Sequence, residues 1–191
     1  MAPPHRASEA RQTALGEPLI NESRVGEVYL GRDEIERRVG ELGRELTTAY
    51  DGHNPLLVAP LKASLVFVTD LSRALPIVHE LDFLELASYG SDGPGIRLLK
   101  DLNVEIEHRH VLIVEDVVDT GLSLNYLCKT LRLRRPTSLK VVTLLDRPYR
   151  RLVEDLPIEW VGFTVPDELF VGYGFDLDER YRNLPDLHVL R

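Results

Sequence analysis

The sequence has a single cysteine, Cys128, among its 191 residues, so no disulfide framework can staple the chain and the fold must rest on its own core. A lone thiol fits a reducing compartment. The spacing of Cys128 from Leu124, Leu127 and Leu131 puts it on the apolar face of a helix, where a core residue is expected rather than a nucleophile. No apolar run approaches the length needed to span a bilayer, and the N-terminus lacks the apolar centre of a signal peptide, so the expected location is cytoplasmic. An excess of positive charge is also missing. Against 31 acidic residues stand 23 Lys and Arg, a formal net charge of −8, which disfavours unspecific binding to nucleic acid. With 43% apolar content the chain suits one globular domain with a full core, and no second domain is needed.

The informative stretch runs from Val111 to Leu124. Val111, Leu112, Ile113 and Val114 are apolar without alternation, which predicts a strand buried on both faces in the middle of a parallel sheet. Glu115 and Asp116 then stand at its carboxyl end, where open α/β sheets bind their ligands. A third acid, Asp119, opens the turn Asp119-Thr120-Gly121-Leu122-Ser123 that leads into a helix. Such a turn offers backbone N–H groups at a helix N-terminus, and Gly121 lets the main chain approach what is bound. A phosphate seat flanked by acids calls for a ligand carrying both phosphate and groups that carboxylates bind, namely hydroxyls or Mg²⁺. Receiver domains of response regulators also end a hydrophobic strand in paired acids, but near the start of the domain; here about 110 residues precede the pair, and a receiver has no use for the anion turn.

Taken in order, residues 1–25 carry Pro3, Pro4, Gly16 and Pro18 without periodicity and read as a loosely held extension, followed by a single domain over residues 26–191. Ile35, Val39, Leu42 and Leu46 predict the first regular element, a helix from Asp33 to about Tyr50. Leu56 to Pro60 is a short strand that Lys62-Ala63-Ser64 turns into an apolar helix. Asp82 to Tyr89 is a further strand, after which Gly90, Gly93, Pro94 and Gly95 form a candidate lid and Ile96 to Lys100 returns toward the central element. A helix from about Ser123 to Arg134, a strand from Leu139 to Leu145 and a strand from Ile158 to Val165 complete the α/β alternation. Arg132, Arg134, Arg135 and Lys140 form one basic cluster and Arg147, Arg150 and Arg151 another, readable as a solvated face, a funnel for an anionic substrate or an RNA-binding surface.

The run Val-Leu-Ile-Val-Glu-Asp-Val-Val-Asp-Thr-Gly resembles the phosphoribosyl-pyrophosphate (PRPP) loop of the type I phosphoribosyltransferases. The segment from Pro166 to Asp176, followed by Glu179-Arg180-Tyr181-Arg182-Asn183-Leu184-Pro185, is similar to the base- and pyrophosphate-binding segment of the hypoxanthine-guanine branch in particular, and the likeness covers roughly Val28 to Leu190. The resemblance implies an α/β fold with a twisted, mainly parallel sheet flanked by helices, a small C-terminal hood, Mg²⁺ as cofactor, and a homodimer or homotetramer. It implies purine salvage, converting hypoxanthine or guanine plus PRPP into IMP or GMP plus pyrophosphate.

Residue by residue, the resemblance assigns the 5-phosphate seat to Val118, Thr120, Gly121, Leu122 and Ser123. Glu115 and Asp116 match the acids near the ribose hydroxyls and Mg²⁺, Asp119 the catalytic acid that handles the purine N7 proton, and Asp176 a second metal ligand beside the purine. Lys62, Ala63 and Arg182 match the pyrophosphate contacts, in a loop that often has a non-proline cis bond just before the Lys. Ser88 and Tyr89 match the pair preceding the lid. Two departures fall in the base pocket: Arg147 stands where the family has a Lys donating to the 6-oxygen, and Leu169, with Phe170 beside it, stands where the family stacks an aromatic ring. A third lies in the pyrophosphate loop, where Ala63 and Ser64 replace two glycines. The alternative from another class is a regulator of the same fold that senses PRPP or nucleotide and binds RNA or a protein partner.

Overall fold

The computed structural model describes residues 24–88 and 95–191. Strand β5 (His110–Val118) is the centre, because its apolar run serves two cores at once. Leu112 and Val114 point to one face, against Ile35, Val39, Leu42 and Leu46 of α1 (Arg32–Ala49) and Phe67, Val68 and Leu71 of α2 (Ser64–Arg73). Val111 and Ile113 point to the other, against Leu124, Leu127, Cys128 and Leu131 of α3 (Leu122–Arg132). All four β5 side chains are fully buried, and emptying any one to alanine costs about 2–5 kcal/mol. Cys128 is a core residue, as its helical spacing predicts.

The main sheet has the order β4-β3-β2-β5-β6-β7, with β2 (Leu56–Leu61), β3 (Glu80–Ser88), β4 (Ile96–Lys100), β6 (Ser138–Asp146) and β7 (Ile158–Thr164) around β5. Every pairing is parallel except β3 with β4. The chain steps outward from β2 to β3, then returns to place β5 on the other side of β2. That reversal makes a crevice at the carboxyl ends of β2 and β5, the place where open sheets of this kind take ligands. Strand β4 does not run toward β5: it pairs with β3 alone, at the far edge. Asp82, buried at the start of β3, accepts the backbone N–H of Asn103 at 2.6 Å and so fixes the return path to β5.

A second sheet, order β1-β9-β8, forms the hood from β1 (Val25–Leu30), β9 (Leu187–Leu190) and β8 (Phe170–Val171), all antiparallel. The sequence reading has α1 as the first regular element, and β1 precedes it. Strand β1 lacks the alternation that marks a half-buried strand, because its pairing with β9 is interrupted by two register shifts and only Leu30 is buried.

Candidate active site

Strand β5 carries Glu115 and Asp116 toward the crevice, and the turn after it closes a cavity of about 220 Å³ lined by residues 115–121, Ser123 and Leu124. Gly121 precedes α3 at φ +80°, a left-handed conformation that favours glycine. Thr120, Gly121 and Ser123 of the expected phosphate seat are therefore brought together, while the side chain of Leu122 faces solvent.

The two acids of β5 differ. Glu115 is only 8% exposed, and burial, reinforced by neighbouring Asp116, pushes its carboxyl up to about 8. Burial also raises Asp116, to about 6; backbone N–H groups and Arg182 oppose the shift and Asp176 adds to it. A carboxyl raised in the folded state binds its proton more tightly there than in the unfolded chain. Its cost to stability is therefore absent below the ordinary carboxylate range and grows as pH climbs through about 8. Ligand-free protein should lose stability from about pH 5 to about pH 8, on the order of a few kcal/mol, and Glu115→Gln should flatten that fall. Thermal melts with the same slope in both proteins would place the carboxylate in water.

At the expected pyrophosphate side, Lys62 follows β2 through a cis Leu61–Lys62 peptide bond, as the resemblance implies. Ala63 has ordinary right-handed angles (φ −65°, ψ −32°), and Ser64 opens α2 fully buried with its hydroxyl donated to the carbonyl of Pro60. The chain thus tolerates side chains where the family has glycines. Lys62 and Arg182 meet through Glu179, whose carboxylate accepts from Lys62 Nζ at 2.9 Å and from Arg182 Nη2 at 3.0 Å. Arg182 also pairs with Asp176 at 2.8 Å. Sequence reasoning has Glu179 within the matching segment but gives it no role. An exposed acid among charged neighbours has no pattern of its own, and its backbone stands at a left-handed φ of 63° in the fold.

Asp116, Asp176 and Arg182 act on one another electrostatically, but among the described residues no three His, Cys, Asp or Glu could hold a metal ion by themselves. That donor set fits Mg²⁺, which keeps several waters and relies on one or two carboxylates plus substrate oxygens.

The expected base side is the segment after β6. Arg147 is 6% exposed and its Nη1 lies 3.4 Å from Asp119 Oδ2; Arg150, in a 3₁₀ turn (Pro148–Arg150), has Nε 3.3 Å from Asp119 Oδ1. Asp167 faces both guanidiniums, 3.9 Å from Arg147 and 3.2 Å from Arg150. The second basic cluster is therefore paired with acids: Arg147 and Arg150 with Asp119 and Asp167, and Arg151 with Asp146. Members of the first are paired as well, Arg134 with Asp101, Arg135 with Glu107 and Lys140 with Glu159. Phe170 is turned into the core, its ring 4.8 Å from that of Tyr29, whereas Leu169 is 58% exposed. Of the two, Leu169 alone is free to cover a ligand. Ser88 ends β3 opposite Ile96, and Tyr89 lies outside the described residues. A larger cavity, about 670 Å³ between α1, α2 and residues 182–185, shares only Arg182 with the expected site residues.

Residues 29–178 match the family model for the phosphoribosyl transferase domain. The chain is 44% identical over 170 residues to the bifunctional protein TilS/HprT of Listeria monocytogenes, covering 87% of this chain but only 26% of that longer protein. It is 42% identical over 170 residues to the hypoxanthine-guanine phosphoribosyltransferase of Bacillus subtilis, covering 87% of this chain and 94% of that one. A crystal structure of the hypoxanthine phosphoribosyltransferase of Staphylococcus aureus superposes with a TM-score of 0.84 at 38% identity, over 89% of this chain and 94% of the other. The loop after β5, the cis-bonded lysine loop after β2 and these relatives agree: the chain belongs to the phosphoribosyltransferase family, in its hypoxanthine-guanine branch.

Proposed function

We propose that this chain transfers the 5-phosphoribosyl group of PRPP to hypoxanthine or guanine, giving IMP or GMP and pyrophosphate with Mg²⁺ as cofactor. The observation that carries the reading is the position of Asp119, which joins the phosphate turn to the buried donor Arg147, so that a proton acceptor and a base-reading group meet beside the 5-phosphate seat. The turn from Thr120 to Ser123 holds the 5-phosphate, and Glu115 and Asp116 take the ribose hydroxyls. As the ribosyl carbon parts from pyrophosphate, Lys62 and Arg182 offset the charge of the leaving group, and the nearby acids favour the cationic character of the sugar. A purine nitrogen forms the new bond and the N7 proton passes to Asp119, while Arg147 donates to the 6-oxygen. Mg²⁺, held by Asp116 and Asp176 together with substrate oxygens, would supply charge neutralisation of the phosphates.

Incubation with PRPP, hypoxanthine and Mg²⁺ should yield IMP and pyrophosphate in equal amounts, followed by chromatography. Tight PRPP binding without product would turn the reading to a PRPP-sensing regulator, which draws no support from the enzyme names of the relatives. Lys62→Ala should weaken PRPP and pyrophosphate by about 1.5–3 kcal/mol and leave free purine unaffected, as expected for loss of a hydrogen bond to a charged group. Calorimetry in which purine weakens equally would give Lys62 a structural role instead.

A further inference from the structure

Three successive carbonyls of the phosphate turn are taken by one neighbouring segment. Val118 O accepts from Arg147 N at 3.0 Å, Asp119 O from Arg151 Nε at 3.1 Å, and Thr120 O from Leu152 N at 2.9 Å. In a trans peptide the N–H points opposite to the C=O of the same plane. Tethering these three carbonyls therefore turns the N–H groups of Asp119, Thr120 and Gly121 away from that segment, and the same three residues line the 220 Å³ cavity. Two of the tethers are main-chain bonds; the third is a side chain. Arg151 is only 15% exposed, and its other end grips the carboxylate of Asp146, the last residue of β6 and the register partner of Val118. Its stem also backs the turn: a Cβ built on Gly121 would lie 3.1 Å from Arg151 Cδ.

We infer that Arg151 is a positioning residue for the 5-phosphate seat, set by Asp146 and acting through the peptide plane between Asp119 and Thr120. Without it that plane is free to rotate and turn a carbonyl oxygen toward the phosphate, replacing an attraction by a repulsion. Lysine keeps the charge at Asp146 but lacks the planar fork that reaches two acceptors at once. The inference rests on the transferase reading for the identity of the phosphate ligand, though not for the existence of the seat.

The test compares Arg151→Gln, Arg151→Lys and Asp146→Asn with the unaltered chain, by calorimetry with IMP, inosine, ribose 5-phosphate and pyrophosphate, and by steady-state kinetics. Each variant should bind IMP and ribose 5-phosphate roughly 10- to 100-fold more weakly, with pyrophosphate affinity unchanged. The KM for PRPP should rise while the KM for hypoxanthine at saturating PRPP stays within twofold. Combining Arg151→Gln with Asp146→Asn should be no worse than the more affected single variant, since both break one linkage. Equal losses for IMP and pyrophosphate, or a lowered Tm with unchanged affinity for ribose 5-phosphate, would overturn the inference. If Arg151→Gln fails to fold, Arg151→Lys decides by the same criteria. Unaltered protein that binds ribose 5-phosphate without forming IMP would overturn the transferase reading alone, and the variants would still judge Arg151. Unaltered protein that binds neither phosphate ligand would overturn both.

Discussion

Asp119→Asn is expected to lower turnover by roughly 10²–10⁴-fold, the usual share of a positioned proton acceptor, equivalent to about 3–5 kcal/mol of barrier. An aspartate just before a helix could instead serve as an N-terminal cap, whose loss is felt in stability. The geometry separates the two roles. Gly121 occupies the cap position of α3 without a side-chain hydrogen bond, and the Asp119 carboxylate is turned away to the guanidiniums of Arg147 and Arg150. Asparagine keeps the size and one oxygen for those partners but cannot take the N7 proton. PRPP affinity and Tm should therefore change little while the rate collapses. A variant close to full activity, or one losing PRPP binding in proportion to rate, would return Asp119 to the scaffold.

Adenine should be used at least ~10⁴-fold less efficiently than hypoxanthine, because a site built around one hydrogen-bond pattern leaves its polar groups unpaired with the wrong ligand. Arg147 should be the source of the discrimination. It is buried, and its Nε finds no hydrogen-bond partner among the described residues. A guanidinium can only donate, so a 6-oxygen satisfies it and the 6-amino group of adenine opposes it. Asp119 and Asp167 hold the side chain from two sides, which leaves it little freedom to withdraw from the wrong base. Ratios of kcat/KM for the two purines decide the matter; adenine within tenfold of hypoxanthine would remove the 6-oxopurine assignment.

Both predictions concern residues that could be singled out in the sequence, and the reason is local. Strand β5 announces itself because both its faces are buried, so an unbroken apolar run leads directly to Glu115, Asp116 and Asp119. Lys62 and Arg147 were legible as polar residues at strand ends. Arg150, Arg151, Asp167 and Glu179 act through partners distant in sequence, and a string of charged residues carries no sign of which ones pair. Arg151 and Asp119 are 32 positions apart, Lys62 and Glu179 are 117. The hood strand β1 was missed for a related reason: it is short, mostly exposed and bulged, and its partner lies at the other end of the chain.

That pairing bears on how the molecule opens. Val25 is in register with Leu190, so β1 and β9 close a loop spanning most of the chain. Contacts of such sequence separation have to overcome a large loop-closure entropy, and of this small sheet only Leu30, Phe170, Val171 and Leu187 are buried in return. The hood should form late in folding and open first as a unit under native conditions, with β1, β8 and β9 exchanging their amide hydrogens together and well before β5. Asp176 and Arg182 lie on the excursion between β8 and β9, while the phosphate turn is anchored in the main sheet. Fluctuation of the hood would therefore loosen the proposed hold of Arg182 on pyrophosphate while the nucleotide's 5-phosphate stays seated, an order of departure set by the connectivity of the strands.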